Sequence, residues 1–294
     1  MVGCGWLVNP RLRRAPKAVG LRRRPPSAGR SEGGVLRQAS PQDPGGPFSS
    51  GLWVEFFNAV IALVSGRCLA CRGRGYLTLR PGFCGRCWDS VKRIQPPLCR
   101  HCGLPLPDPA ARCDFCRGPD RGTLKKIRSV GLYEGSLRTA IQQFKYRGKK
   151  RLAPALAELL IETAREDRNF KNCRYVVPVP MHPRQERQRG YNPPEVLARK
   201  LCATTGQTLE TRWLKAAPGR RSQMGLSRKE RFQNAAGAFR TKASRRAPPG
   251  SVLLIDDVCT TGATLEECAK ALAAFGCRRI FALTVARDTT TRWT

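Results

Sequence analysis

Acidic residues are scarce in this chain. There are 21 Asp and Glu against 54 Lys and Arg in 294 residues, a formal charge of 54 − 21 = +33. That imbalance excludes no fold, but it predicts attraction to polyanions such as DNA, RNA or phosphorylated metabolites. Histidine is rarer still, with His101 and His182 the whole complement. Chemistry that depends on an imidazole base therefore has almost no candidates. Long apolar runs are also missing. The longest, Leu52 to Val64, has 13 residues and is broken by Glu55 and Asn58. A bilayer span needs about 20, so no membrane span is expected. The Arg/Pro-rich start lacks the apolar core of a secretory signal.

Cysteine, by contrast, is plentiful at 14. Without a secretory signal the expected compartment is the reducing cytoplasm, where clustered cysteines favour metal over disulfides. Eight fall in four Cys-x-x-Cys pairs: Cys68/Cys71, Cys84/Cys87, Cys99/Cys102 and Cys113/Cys116, with 12, 11 and 10 residues between successive pairs. A Cys-x-x-Cys turn points both sulfurs at one ion, and two turns complete a tetrahedral S4 site suited to zinc. Eight sulfurs make two closed, structural Zn2+ sites. Sequential pairing of the turns is the simplest connectivity, and interleaved pairing is the alternative. His101 lies between two ligands of one turn and reads as a spacer. Tyr76, Phe83, Trp88 and Phe115 lie among basic residues; they suit either the small cores of such ribbons or base stacking.

The organisation along the chain follows from composition. Residues 1–50 are rich in Arg, Pro, Gly and Ser, carry 9 basic and 2 acidic residues, and lack apolar periodicity. The expectation is a disordered segment, or an over-extended reading frame. Residues 51–120 hold a short apolar helix (52–64) and the double zinc ribbon. From about 121 to 294 helices and strands alternate. Leu137, Ala140, Ile141 and Phe144 mark one amphipathic helix; Leu152, Leu156, Leu159 and Leu160 mark another. Tyr175–Val179, Val252–Ile255 and Ile280–Val285 read as buried strands. Helices are expected over 195–201 and 265–275, the latter ended by Gly276. Such alternation implies a mostly parallel sheet.

One stretch carries chemistry: Val252-Leu-Leu-Ile-Asp-Asp-Val-Cys-Thr-Thr-Gly-Ala-Thr-Leu265. In open α/β sheets ligands collect at the carboxyl ends of strands, which is where Asp256 and Asp257 are expected. The loop after them leads into a helix N-terminus, whose amides and dipole suit a phosphate, with Thr hydroxyls as further donors. Two carboxylates repel a bare polyphosphate but accept hydrogen bonds from vicinal sugar hydroxyls. The implied ligand is a sugar with a phosphate at one end. A Walker loop and a three-glycine dinucleotide fingerprint are both absent.

IDDVCTTGAT resembles the phosphoribosyl-pyrophosphate (PRPP) motif of type I phosphoribosyltransferases. The chain from about 60 to 288 resembles the ComF (GntX-like) family, associated with bacterial competence and DNA uptake. The resemblance rests on the Cys-x-x-Cys pairs, LYEGSLRTAIQQFKYRG (132–148), VVPVPMHPRQERQRGYNPPEVLA (176–198), RSQMGLSRKERFQNAAGAF (221–239) and the motif itself. It implies an α/β fold, a type I phosphoribosyltransferase-like parallel sheet with flanking helices, preceded by a small Cys4 double zinc ribbon. It implies that Asp256 and Asp257 hold the ribose hydroxyls, and that Thr260, Thr261, Gly262, Ala263 and Thr264 hold the 5-phosphate. Arg184, Arg187 and Arg189 fall where a pyrophosphate-contacting loop is expected. Arg221, Gln223 and Arg231 fall in a mobile hood, and Lys145 is a further anion contact. The family often has Gln where this chain has Pro193, which could simply open a helix. Cys259 reads as a packed thiol, and His182 as a spacer or phosphate donor.

Two functions remain open on sequence. One is a transferase that binds PRPP with Mg2+ and passes the phosphoribosyl group to an acceptor. The other is a non-catalytic zinc-ribbon adaptor for single-stranded DNA or a helicase-like DNA-uptake partner.

Overall fold

The computed structural model describes residues 67–73, 82–107, 112–117, 122–217, 237–241 and 250–289. The expected disordered segment 1–50, the 52–64 helix, Tyr76, the Phe115 side chain, Arg221, Gln223 and Arg231 lie outside the described residues.

The cysteine-rich part has two short helical turns, α1 (Gly85–Asp89) and α2 (Asp114–Arg117). Strand β1 (Lys126–Leu132) and helix α3 (Gly135–Tyr146) follow. A 3-10 turn (Lys150–Leu152) then leads into α4 (Ala153–Glu166) and the short α5 (Arg168–Lys171). Next come β2 (Tyr175–Pro178), α6 (Pro183–Arg189), α7 (Pro193–Thr205), β3 (Thr208–Leu209) and β4 (Leu214–Ala216). The chain closes with β5 (Phe239–Thr241), β6 (Ser251–Cys259), α8 (Ala263–Ala274) and β7 (Arg279–Arg287).

Five strands form one sheet in the order β1-β7-β6-β2-β3, every pair parallel. Strands β4 and β5 make a small antiparallel pair apart from it. The central strands are apolar on both faces, as parallel strands covered by helices must be. Leu253 and Ile255 pack with Leu156 and Leu160 of α4 and Leu197 and Leu201 of α7. Val252 and Leu254 turn the other way, to Leu265 and Leu272 of α8. The four apolar positions expected of the first helix all fall on α3, at 0–1% exposure. Helix α8 ends as its Gly predicts: Gly276 (φ 110) donates to Ala273 O at 2.9 Å and Cys277 to Leu272 O at 2.9 Å. That is a Schellman closure. Pro193 and Pro194 open α7, where a missing amide costs nothing.

Three findings differ from the sequence reading. Strand β6 does not stop at Ile255 but runs on to Cys259, because β7 stays paired with it as far as Arg287. The supposed pyrophosphate loop is largely helix, α6. Strand β1 was not anticipated, since Lys126 and Arg128 interrupt its apolar pattern.

The ribbon and the sheet belong to one compact unit. Edge strand β1 is covered by ribbon backbone. Ile94 donates to Val130 O at 2.9 Å, Leu132 to Lys92 O at 2.9 Å, and Ile127 to His101 O at 2.7 Å. The approach is so close that a Cβ at Gly131 would lie 2.9 Å from Lys92 O.

Candidate functional site

Unequal strand lengths create the site. Strand β2 pairs with β6 up to Pro178 opposite Ile255, and Val179 N still reaches Ile255 O at 2.9 Å. Beyond that point β2 turns away into Pro180–His182, while β6 continues against β7 alone. Asp256 and Asp257 are the first residues past this divergence. Both line a pocket of about 880 Å³, together with Thr260, Gly262 and Thr264 of the loop. Gly262 takes φ 82 and caps α8 without a side-chain bond, while Thr261 Oγ1 accepts from Ala263 N at 3.3 Å. A left-handed glycine here keeps the loop backbone accessible at the helix N-terminus.

The two acids differ. Asp257 is buried and Asp256 half-buried. Asp257 N donates to Asp256 Oδ1 at 2.8 Å, which fixes the first carboxylate. Lys145, in the last turn of α3, pairs with Asp257 Oδ1 at 2.7 Å, with side-chain exposures of 18% and 8%. Burial works against the Lys145 charge, but Asp257 outweighs it and raises the lysine above its ordinary value. Lys145, expected as an anion contact, thus lies in the pocket already engaged by an acid.

The arginines of α6 separate. Arg189 lines the pocket and stacks its guanidinium over Tyr146 at 5.0 Å. Arg184 and Arg187 are exposed and are not among the lining residues. His182 caps α6, its Nδ1 accepting from Arg184 N at 3.2 Å. Asn192 is a lining residue that the sequence did not single out. It is 6% exposed, and its Nδ2 donates to Val179 O at 3.1 Å. Its Oδ1 has no hydrogen-bond partner among the described residues.

Cys259 follows the acids and is 2% exposed; burial pushes its thiol up, so it stays protonated and packed. Its sulfur accepts from Arg287 Nη1 at 3.2 Å, and the same Nη1 donates to Cys102 O at 3.0 Å. Arg287 is 1% exposed. Sequence reasoning missed it, because a basic residue at a strand end looks solvated.

The eight ribbon cysteines gather as two sets, Cys68/Cys71/Cys84/Cys87 and Cys99/Cys102/Cys113/Cys116, with the sulfurs of each set within 4.8 Å of one another. The connectivity is therefore sequential. A zinc–sulfur distance of about 2.3 Å gives a tetrahedral edge of about 3.8 Å. Cys71 to Cys84 is 3.8 Å and Cys102 to Cys113 is 3.6 Å between sulfurs. Backbone amides support the ligands, with Cys84 N on Cys68 Sγ at 3.3 Å and Gly73 N on Cys71 Sγ at 3.4 Å. Both sets fit zinc, with every ligand position filled by thiolate, as structural sites require. Phe83 and Trp88 are buried edge-to-face at 5.8 Å beside the first set and form its core.

These features define an α/β protein of parallel-sheet type with a fused double zinc ribbon. Residues 60–117 match the family model of the double zinc ribbon domain. Competence protein F of Haemophilus influenzae is 32% identical over 218 residues, covering 73% of this chain and 93% of that protein. The chain belongs to the competence protein F (ComF) family. DNA utilization protein YhgH of Salmonella typhimurium is 29% identical, covering 72% and 93%. Competence protein ComFC of Bacillus subtilis is 28% identical, covering 69% and 83%. Among solved structures, a purine phosphoribosyltransferase from Pyrococcus horikoshii is 17% identical over 48% of this chain and 75% of its own, with a TM-score of 0.30. That overlap is slight, and the fold stands on strand order and register. Among the described residues no helix is long and apolar enough to cross a membrane.

Proposed function

We propose that the protein binds PRPP, or a related sugar phosphate, at the open end of β6 and passes the phosphoribosyl group to an acceptor with release of pyrophosphate. The observation that carries this reading is the placement of Asp256 and Asp257 just past the end of β2, in one pocket with Thr260, Gly262 and Thr264 of the loop. The acids accept hydrogen bonds from the ribose 2- and 3-hydroxyls. The loop amides and the hydroxyls of Thr260, Thr261 and Thr264, with Gly262 and Ala263, hold the 5-phosphate at the N-terminus of α8. Arg189 faces the pyrophosphate, with Arg184 and Arg187 adding field from the outer side of α6. Arg221, Gln223 and Arg231 are assigned to a hood between β4 and β5.

In the reaction the bond from C1 to the pyrophosphate oxygen breaks, its electron pair leaving with pyrophosphate. The acceptor's lone pair then forms the new bond to C1. Mg2+ would be carried by the pyrophosphate group and the ribose hydroxyls of PRPP, beside Asp256 and Asp257, and would supply charge neutralisation for the leaving group. The chain's own part is to orient the sugar through its two acids, hold the phosphate and exclude water. No strong base is needed for a good nucleophile, in keeping with a pocket whose only imidazole caps a helix. The zinc sites are structural, the setting is the cytoplasm, and the cellular role is DNA uptake, a reading supported by relatives named for competence and for DNA utilization.

Calorimetric titration of PRPP with Mg2+ into zinc-loaded protein tests this reading. Micromolar binding, lost in Asp256→Ala/Asp257→Ala, is expected; no binding by the wild type refutes it.

A second reading has an observation of its own. Arg147, Lys149, Lys150 and Arg151 form an exposed basic run beside the pocket, next to exposed Tyr146. An adaptor for single-stranded DNA would use that run for phosphates and the ring for a base. Salt-dependent DNA binding that survives Asp256→Ala favours it. Affinity no better than that of any basic protein rules it out.

A further inference from the structure

The two zinc sites attach to the α/β unit in different ways. Cys68, Cys84 and Cys87 of the first join the main apolar core beside Val130, Leu137 and Leu152. Ser136 Oγ adds a bond to Cys87 O at 2.8 Å. That attachment serves α3 and the body of the fold. Cys99, Cys102 and Cys113 of the second form a small buried cluster of their own, and its attachment is largely polar.

The turn from Cys99 to Cys102 presents a row of carbonyls to the sheet. Cys99 O and Arg100 O accept from Arg128 at 3.3 and 3.2 Å, and His101 O accepts from Ile127 N at 2.7 Å. Cys102 O accepts from the buried Arg287 at 3.0 Å. Gly103 sits at φ 70, where a Cβ would come 2.7 Å from Ile127 O. So the metal-binding turn is pressed directly on β1 and on the last residue of β7.

Arg287 and Ile127 of β1 also lie beside the start of the loop. Arg287 is the strand partner of Cys259 and donates to its sulfur at 3.2 Å. Asp288 N donates to Cys259 O at 2.9 Å. The position of a Cβ on Gly262 lies 3.5 Å from Ile127 Cδ1 and 4.0 Å from Cys259 Sγ. Gly262 thus turns the side where a Cβ would stand toward Ile127 and Cys259, which belong to one buried cluster, and the second zinc turn is bonded to Ile127 through its His101 carbonyl and to Cys259 through Arg287. Four thiolates around one Zn2+ are formally −2, a suitable counter-charge for a guanidinium with 1% exposure.

We infer that the second Cys4 site is a built-in support of the Thr260–Thr264 loop, with Arg287 as the positioning residue that joins them, whereas the first site supports only the fold. The inference rests on the sugar-phosphate reading for its consequence in binding, but not for its geometry. Without the metal the Cys99–Cys102 turn loses its closure, its carbonyls lose their fixed places, and the loop loses its footing.

The test compares Cys113→Ser/Cys116→Ser, Cys68→Ser/Cys71→Ser, Arg287→Met and Arg287→Lys in the full chain. Zinc content is measured by elemental analysis, and amide hydrogen exchange is followed in peptides spanning 259–264. Cys113 and Cys116 are chosen because the Arg287 contact at Cys102 stays intact in sequence. Loss of the second zinc is expected to speed exchange over 259–264 at least tenfold and to weaken Mg2+–PRPP binding at least tenfold. Loss of the first is expected to lower the melting temperature and leave exchange over 259–264 unchanged. Arg287→Met should retain two zinc ions and still speed exchange there, with partial rescue in Arg287→Lys. Should either cysteine variant fail to fold, the Arg287 pair decides alone. Unchanged exchange over 259–264 in Arg287→Met, or equal acceleration on losing either zinc, overturns the inference. Faster exchange in a protein whose wild type binds no PRPP supports the coupling and defeats the sugar-phosphate reading, so the two failures are distinguishable.

Discussion

Replacing Lys145 with Met should reveal how the pocket tolerates two adjacent acids. The ammonium is 2.7 Å from Asp257 Oδ1, and the two side chains are 18% and 8% exposed. Unit charges at that distance attract by about 6 kcal/mol at an effective dielectric of 20, before desolvation is subtracted. Removing one partner of such a pair leaves a buried, uncompensated carboxylate, at a cost of about 3–5 kcal/mol. For a domain of this size that lowers the melting temperature by roughly 6–20 °C. The sign with pH follows from the lysine. Asp257 holds it above its ordinary value against the pull of burial. Its contribution is thus complete below the unfolded lysine value and fades only as alkali passes the folded one, so the wild-type stability from this pair is flat between pH 6 and 8. Urea denaturation at pH 6 and pH 8 reads both the cost and its flatness. Lys145→Met/Asp257→Leu should recover to within about 1.5 kcal/mol of wild type, since an apolar pair replaces a charged one of similar bulk. Mg2+–PRPP affinity should fall about tenfold in Lys145→Met, from the loss of a positive charge beside two acids that face an anionic ligand. A Lys145→Met protein within about 0.5 kcal/mol of wild type at pH 7 would refute the reasoning and make the contact incidental.

Leu160, fully buried between α4 and the sheet, should cost about 2–5 kcal/mol as Leu160→Ala by urea denaturation, with no change in zinc content. Gly262→Ala puts a side chain on φ 82, and should cost about 1 kcal/mol of stability while weakening ribose-phosphate binding more than fivefold by calorimetry. Asp167 pairs with Lys126 at 2.6 Å, and although burial would raise it, the Lys126 bond holds its carboxyl below the usual range. That contribution is present above the unfolded value and lost as pH falls through the folded one, so Asp167→Asn should cost about 1 kcal/mol at pH 7 and progressively less as acid passes below the ordinary carboxylate range, by denaturant titration.

Much of this was legible in the chain because local chemistry dictated it. The Cys-x-x-Cys turns have one economical use, and the 3.6-residue periodicity of Leu137 to Phe144 survives any context. The acid pair before a Thr/Gly loop announced both its strand and its helix. What escaped depended on distant parts. Strand β1 carries Lys126 and Arg128 in place of an unbroken apolar pattern, since one is paired with Asp167 and the other holds the Cys99 turn. The end of β6 is set by β7 and the openness of its acids by the shortness of β2, and neither length is written in β6 itself. Arg287 meets Cys102 across 185 residues, and no local signal marks it. Asn192 is placed by Val179 O, and nothing around it in sequence distinguishes it from a simple cap of α7.

The ribbon's backbone also bears on whether the sheet can exist alone. An edge strand presents unpaired amides and carbonyls that invite another chain. Here Ile127 N, Val130 O and Leu132 N of β1 all find ribbon partners, at 2.7, 2.9 and 2.9 Å. Gly131 allows that approach, since a Cβ would crowd Lys92 O at 2.9 Å. Removing residues 1–120 would uncover this edge together with the apolar surface now under Phe83, Trp88 and Val91. Each stranded backbone group costs about 1–3 kcal/mol if it stays dry, and if it does not, the edge is a template for pairing. The truncated chain is expected to form soluble aggregates or precipitate at micromolar concentration, by light scattering after size exclusion. Gly131→Val in the full chain should push the ribbon off the same edge and raise the aggregation rate without removing a zinc ligand. A truncated chain that stays monomeric, with an unfolding transition as cooperative as the full chain's, would mean that the ribbon is a tethered module and that β1 needs no cover.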